Sequence, residues 1–569
     1  MKLLRATLKQ LLLLIALIAT LATSLSAQNS QLGKVEFSTS GSEKAQAHFL
    51  RGLAALHSFW YEEALDAFRE STKIEPDFMM GYWGEAMAQN HPLWSEQDTA
   101  AGRQALSKIK DSPKLTARER AYLDAVKLLY GEGDKRQRDE AYSAAMEKVY
   151  RAYAEDLDAA AFYSLSLLGL MRTDEKSYRL QARAGAIAMD VYQKNPNHPG
   201  AAHYIIHAFD DPDHAILALP AARRYASIAP EAHHARHMPS HIFLQLGMWP
   251  EAAASNESSW ETSDAWMKRK NLSPNVRDYH SLHWLLYVYL QQGRYRKAEE
   301  LLNLMKKTMA ESKYDNKLRP NYYENNYANM AAAFVVETER WNLAPTWFPA
   351  SEIQLASSGS TGNGQAPPAQ GMHSGHGGVT PPPASDAPTV RSSNRSQTLP
   401  IFTRGLSEAV SGSADVEKSI AGLKATAGGA GAANPMLEVR ELEIAALAAS
   451  VKLNHIKATE LMKKAVGLEE QLGAPSGPPA IIKPAHELFG EILLRAGKPQ
   501  EAAEQFRIAL RRQPNRARSL LGAARAASTS GDQPGASSFY ARLLEQWQQA
   551  DQDLPELREA QAYLKQARR

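Results

Sequence analysis

The chain carries two histidine pairs set 34 residues apart, and that spacing restricts its fold more sharply than any other feature. His203 and His207 stand four apart in HYIIH, and His237 and His241 stand four apart in HMPSH. Both members of the second pair follow the first by 34 residues. Two residues four apart share one face of an α-helix. Thirty-four residues is the length of a helix–turn–helix unit that stacks on copies of itself into a solenoid. Equivalent helices of such a stack bring the same face into register. A third pair, His280 and His283 in YHSLHW, sits on what reads as the next equivalent helix. Six imidazoles are then expected to converge on one groove.

Small residues at fixed offsets support the repeat. In Lys483 to Pro514, Gly490 and Ala502 fall where two helices must approach closely, and Gly497 ends the first helix. Phe489, Leu493, Phe506 and Ala509 form the apolar stripe, and Pro514 closes the unit because it cannot continue a helix. Ala45 to Pro76 matches through Gly52, Ala55, Ala64 and Phe68. Further matches begin at Pro199, His233, Tyr279, Val439 and Ala517. Any one of them is weak. Seven together specify an all-α fold of stacked hairpins. Residues 100–195 read as helical with irregular spacing. Residues 351–400 are rich in Gly, Pro and Ser and are expected to form a disordered linker between an N-terminal array (43–350) and a C-terminal one (401–569). Residues 411–434 read as a second loose segment.

These units resemble the tetratricopeptide repeat over most of 43–345 and 436–550. The resemblance implies a right-handed superhelix whose first helices line a concave groove, with the second, fifth, ninth, twelfth and thirteenth residues facing a ligand. With units starting at 199, 233 and 279, His203, His237 and His283 are fifth residues. His207 and His241 are ninth, His234 and His280 second, and Asp210 and Asp211 twelfth and thirteenth. The runs HPGAAHYIIHAFDDP and HMPSHIFLQLGMW resemble a group of exported bacterial tetratricopeptide proteins that carry both motifs. Tetratricopeptide domains generally bind peptides or proteins, so the resemblance also implies a scaffold role.

The N-terminus reads as a secretory signal over 1–27. Lys2, Arg5 and Lys9 precede an apolar run from Leu11 to Ala22, and Ser24, Ser26 and Ala27 are small enough for cleavage. That run is short for a bilayer span. The chain has no Cys, which excludes disulfides, thiolate metal sites and lipoprotein anchoring. With the three leader cations set aside, 62 basic residues face 62 acidic ones, and nothing points to nucleic acid. An exported protein, periplasmic or extracellular, is expected.

The histidines carry the chemistry. Of 17 in the chain, ten fall between His198 and His283. Neutral imidazole suits Zn, Cu, Fe and Ni. Pairs at i,i+4 can hold an ion, and a third ligand from the next helix leaves one coordination position open. His203, His207, His237, His241, His280 and His283 are the candidate ligands. Asp210, Asp211 and His234 are candidates for the layer behind them, where a carboxylate fixes an imidazole tautomer. A divalent transition metal (Zn, Cu or Fe) would then serve a binding protein or an enzyme, a hydrolase or an oxidase. The alternative is an interaction scaffold whose groove histidines contact an acidic peptide or ligand. His198 and His214 read as surface-loop residues, and His57 as carrying no signal. Tyr322, Tyr323, Asn325, Asn326 and Asn329 could border the site. Met372, His373 and His376 form a weak copper-capture pattern in the linker. No G-x-S-x-G turn or phosphate loop is present.

Overall fold

The chain was analysed as a computed structural model that describes residues 30–171, 177–311, 321–349, 395–427, 434–473 and 475–567. It is an all-α solenoid, built from antiparallel hairpins stacked side by side. The first part holds α1 (Glu43–His57), α2 (Tyr61–Ile74), α3 (Met79–Met87), a two-residue β-hairpin of β1 (Asn90–His91) and β2 (Glu96–Gln97), α4 (Thr99–Leu106), α5 (Ala117–Leu129), α6 (Lys135–Ala152), α7 (Leu157–Gly169) and α8 (Arg179–Lys194). The histidine-rich part holds α9 (Pro199–Ala208), α10 (Ala215–Ile228), α11 (His233–His237), α12 (Pro239–Gln245), α13 (Trp249–Arg269), α14 (Tyr279–Gln291), α15 (Tyr295–Glu311), α16 (Tyr322–Thr338) and α17 (Ala344–Trp347). The last part holds α18 (Arg395–Ser411), α19 (Val416–Ala427), α20 (Pro435–Val451), α21 (His455–Gln471), α22 (Ala485–Arg495), α23 (Pro499–Arg512), α24 (Ala517–Thr529), α25 (Gln533–Gln546) and α26 (Pro555–Ala567).

The small residues of the repeat act as expected. A Cβ placed at Gly490 or Gly522 would come within 2.7 or 2.3 Å of the Phe506 ring, so one phenylalanine of α23 wedges between the two helices that precede and follow it. Phe68 of α2 does the same against Gly52 and Gly84. Where α12 turns into α13, Gly247 takes φ 66°, the left-handed geometry that closes a helix end. At the corresponding turn between α1 and α2 the residue is Phe59, with φ 52°. A buried phenylalanine in that conformation is strained by about 1–2 kcal/mol.

The order of stacking departs from a simple row in two places. First, α1 packs on α9, so the opening hairpin lies beside the histidine-rich helices rather than far upstream of them. Arg51 of α1 binds Glu231 across this contact at 3.3 Å. Second, the C-terminal repeats reach back. Trp249 Nε1 donates to the Asn515 carbonyl at 2.9 Å, Trp547 Nε1 to the Gln291 carbonyl at 2.9 Å, and the Asp551 amide to the Gly293 carbonyl at 3.0 Å. These contacts seat α24 and α25 on the turns that follow α12 and α14.

Helix α16 packs directly on α18, and α18 on α20. Residues 350–394, most of the expected linker, lie outside the described residues, as do Met372, His373, His376 and the leader at 1–27. Helix α18 starts at Arg395, inside the range read as linker, and buries Leu399 and Phe402 fully. The segment read as loose after 411 is corrected too. It holds α19, whose Leu423 is fully buried; alanines and glycines suited to close helix packing were mistaken for loop composition. No described helix is long and apolar enough to cross a membrane.

Candidate metal centre

Four elements set the site. His198 caps α9, its Nδ1 accepting the Ala201 amide at 3.1 Å, and Pro199 starts the helix where a missing N–H costs nothing. That fixes the phase of His203 and His207. Helices α11 and α12 form one bent rod, broken at Met238–Pro239 because proline cannot donate to the preceding turn. His234 and His237 lie before the bend and His241 after it. Asp278 caps α14 through the Ser281 amide at 3.1 Å and sets His280. The loop after α1 contributes Phe59.

The histidines fall into two triads. His203, His207 and His234 form one, and His237, His241 and His280 form the other; in each, one nitrogen per ring lies within 4.8 Å of the others. His203 Nε2 and His207 Nε2 are 3.0 Å apart, and His237 Nε2 and His241 Nε2 are 3.1 Å apart. Two imidazole nitrogens on a tetrahedral ion at about 2.0–2.1 Å would stand about 3.3 Å from one another. The triads touch: the His207 and His241 ring centroids are 5.9 Å apart, as are those of His234 and His237.

The groups behind the rings decide where the protons sit. His241 Nδ1 lies 2.6 Å from Asp210 Oδ2, an acceptor without a hydrogen, so Nδ1 donates. His237 Nδ1 lies 2.7 Å from Asn256 Oδ1; the Asn256 amide nitrogen donates to the Ala252 carbonyl at 2.8 Å, which leaves its oxygen to accept. His237 Nδ1 therefore donates as well. In their neutral forms both rings have only a lone pair on Nε2, and the two lone pairs face each other at 3.1 Å. Such an arrangement needs a cation between them or a proton added to one ring. His203 Nδ1 is fixed likewise by the His57 carbonyl at 2.7 Å. His234 Nε2 is buried with no hydrogen-bond partner among the described residues.

Electrostatics favour neutral rings. Burial pushes His203 down to about 3 and His237 down to about 4, with neighbouring imidazoles adding to the shift of His237. Burial and the surrounding histidines likewise hold His207, His234 and His280 well below the ordinary imidazole range. His233 is the exception: although burial opposes it, Asp278 at 3.3 Å raises it. Aromatic rings wall the rest. Phe59 lies 4.3, 5.8 and 5.7 Å from His203, His207 and His234, and Trp94 of the β1–β2 hairpin 6.2 Å from His234. Trp284 lies 4.2 and 4.9 Å from His241 and His237.

Five of the six expected ligands are brought together. His283 lies outside both triads, and His234 stands among the clustered rings instead. The reason is helix phase: α13 runs 21 residues where α10 runs 14, so the register of α14 shifts and its second-position residue, His280, comes level with His237, their rings 4.7 Å apart. Asp210 backs His241. Asp211 does not reach the cluster; its carboxylate accepts from His214 Nδ1 at 2.8 Å and from the Asp213 and His214 amides. Asn326 and Asn329 bond the backbone of their own helix, and Tyr323 packs on Tyr279. His198 and His57 are corrected: both are fully buried. His57 Nε2 lies 2.8 Å and His198 Nε2 3.3 Å from Asp158 Oδ1, and His57 Nδ1 lies 2.8 Å from the Tyr204 hydroxyl. This group ties α1, α7 and α9 together and delivers the His57 carbonyl to His203. Asn256, Asp278 and Phe59 had no sequence signal beyond one: Phe59 occupies a turn position where four other repeats place Gly (Gly247, Gly293, Gly497 and Gly531).

Residues 45–78 match the family model described as tetratricopeptide repeat. No curated protein matches the chain. Among solved structures, the P58(IPK) TPR domain aligns with 73% of this chain and 99% of its own at 14% identity and a TM-score of 0.21. An IFIT1 monomeric mutant with m7Gppp-AAAA aligns over 90% and 91% at 12% identity and a TM-score of 0.31. Yeast Tom70 aligns over 92% and 89% at 10% identity and a TM-score of 0.22. The α1–α2 hairpin thus matches a tetratricopeptide repeat, in a solenoid that gathers six imidazoles beside it.

Proposed function

We propose that this chain is an exported metal-binding solenoid that holds a transition-metal ion on His237, His241 and His280 and leaves one coordination position open. The observation that supports it is the opposed pair of Nε2 lone pairs, 3.1 Å apart, on two rings whose Nδ1 atoms are committed to Asp210 and Asn256. Three imidazoles bind Zn or Cu well, and the Asp210 carboxylate fixes the tautomer and orientation of His241. An ion with an open position polarises a bound small ligand or activates water, the chemistry of a metal-dependent binding protein or hydrolase; a redox metal there serves an oxidase. The fold also supports a protein-interaction scaffold, since stacked tetratricopeptide-type hairpins offer extended surfaces to a peptide or protein. Both roles can reside in one chain. The basic, apolar leader at 1–27 supports export.

The test is metal analysis of full-length protein purified without a polyhistidine tag. At least one Zn, Cu, Fe or Ni ion per chain is expected, reduced by His241→Ala with the helical circular dichroism unchanged. A wild type that retains no metal and binds none on titration would leave a proton between the two Nε2 atoms and would overturn the reading in favour of the scaffold. Terminal sequencing of the mature protein should find residues 1–27 removed; an intact leader on a cytoplasmic protein refutes export.

A further inference from the structure

Resting on that reading, we infer that the groove is a dinuclear centre in which His203, His207 and His234 bind a second ion, and that both ions are copper(I).

The second triad has its own supports. His203 and His207 come from α9 and His234 from α11, and none of the three belongs to the first triad. His203 and His207 present Nε2 atoms 3.0 Å apart, and the His57 carbonyl leaves His203 Nε2 without its hydrogen. His207 alone could satisfy that contact by donating a proton. His234 then decides the matter: its Nε2 is buried with no partner among the described residues, and one nitrogen of its ring lies within 4.8 Å of the ligand atoms of the other two. An unpaired buried nitrogen costs free energy unless it is given a cation or a donor. Phe59 backs all three rings from a strained backbone position, which is where a fold tolerates strain for a site. The two triads touch without sharing a ligand, so each can take its own ion.

Charge selects the metal. Neither triad contains a carboxylate or a thiolate, so six neutral nitrogens are the whole donor set. Asp210 stands behind His241, and the charge of Asp278 is already shared with His233. Two divalent ions would set four positive charges in an aromatic-walled site with little to offset them. Two copper(I) ions set only two. The cost of an uncompensated buried charge is steep. Copper(I) is also satisfied by three nitrogen ligands, whereas zinc on three histidines takes a water or substrate as its fourth ligand. Imidazole is a good ligand for copper in either oxidation state.

The experiment titrates copper(I) into untagged full-length protein under argon, with bicinchoninate as competing chelator. Wild type should take two copper(I) per chain, and His207→Ala/His234→Ala should take one. His283→Ala, outside both triads, should keep two. X-ray absorption of the two-copper wild type should show three nitrogens per copper, a readout that needs no variant to fold. His234→Gln, a smaller perturbation, should also drop to one. One copper in the wild type, unchanged by the double replacement, overturns the second ion and leaves the single-metal proposal standing. One copper abolished by replacements in either triad means a shared ion and also overturns it. Two zinc ions bound with no copper(I) taken from the chelator overturns the choice of metal. No metal at all overturns both proposals together.

Discussion

Arg516 is fully buried where the C-terminal repeats meet the histidine-rich helices, and its removal should loosen that seat by about 3–4 kcal/mol. Its Nε donates to Glu487 Oε2 at 2.8 Å, its Nη1 to the Tyr287 hydroxyl at 2.9 Å, and its Nη2 lies 2.6 Å from Glu337 Oε1. One guanidinium thus joins α14, α16 and α22 from a position just ahead of α24. The two carboxylates respond differently. Burial opposes ionisation of both, but Arg516 and Lys483 hold Glu487 well below the usual range, whereas Glu337 stays above it. In Arg516→Ala, Glu487 keeps Lys483 at 3.1 Å and the Ser519 hydroxyl at 2.6 Å. Glu337 loses its cation and should take up a proton. Protonating a carboxyl of ordinary pKa about 4.3 at pH 7 costs about 3.7 kcal/mol, which sets the ceiling. A raised carboxyl pKa in the folded state means stability falls as pH rises, so the deficit should shrink towards pH 5 with a slope approaching 1.4 kcal/mol per unit. Long arrays unfold in steps, so hydrogen exchange by mass spectrometry is the suitable assay. Peptides from α22 and α24 should exchange about 150- to 500-fold faster at pH 7 in the variant, after correction for intrinsic rates. A change under fivefold, or one independent of pH, would show that Arg516 does not neutralise Glu337 and refute the reasoning.

Asp210→Asn should weaken metal binding roughly 10- to 100-fold in competition titrations, because the carboxylate behind a ligating imidazole sets its basicity and orientation; unchanged affinity refutes a role for Asp210. The metal-free protein should lose stability as pH falls below the unfolded imidazole value of about 6.5, since His203 and His237, held at about 3 and 4, stay neutral while the unfolded chain gains protons. At pH 5 each contributes a loss of about 2 kcal/mol, visible as a falling melting temperature; a flat profile from pH 7 to 5 contradicts the burial. Phe59→Gly and Phe59→Ala should both destabilise through loss of the ring, but the glycine variant should be the more stable by about 1 kcal/mol, because φ 52° strains alanine. Equal melting temperatures would remove the argument for strain.

How much was legible follows from what repeats and what does not. The hairpins could be read because Phe68 and Phe506 demand small partners at fixed offsets, and those partners stand in the sequence. The two histidine pairs could be read because they obey the same period. Phase was lost where the period broke: the longer α13 moved His280 into the place assigned to His283. The opening hairpin's return to α9 left no local trace, so His57 and Asp158 looked unconnected, though their separation of 101 residues closes to 2.8 Å. Buried His198 was mistaken for a loop residue because proline beside it marks a turn equally well as a helix start.

The back-reaching repeats also give the site a history. The Gln245 amide donates both to Asp210 Oδ1 at 3.1 Å and to the Pro475 carbonyl at 2.9 Å, two residues separated by 230 positions in the latter case. Gly477 lies so close on Trp284 that a Cβ there would meet the indole at 2.6 Å. A chain made from its N-terminus therefore owns all six imidazoles long before it owns the segment that covers Trp284 and steadies Gln245. Long-range closures of this kind form late. The order of synthesis therefore leaves Trp284 uncovered and Gln245 unsteadied first, and completes both contacts last.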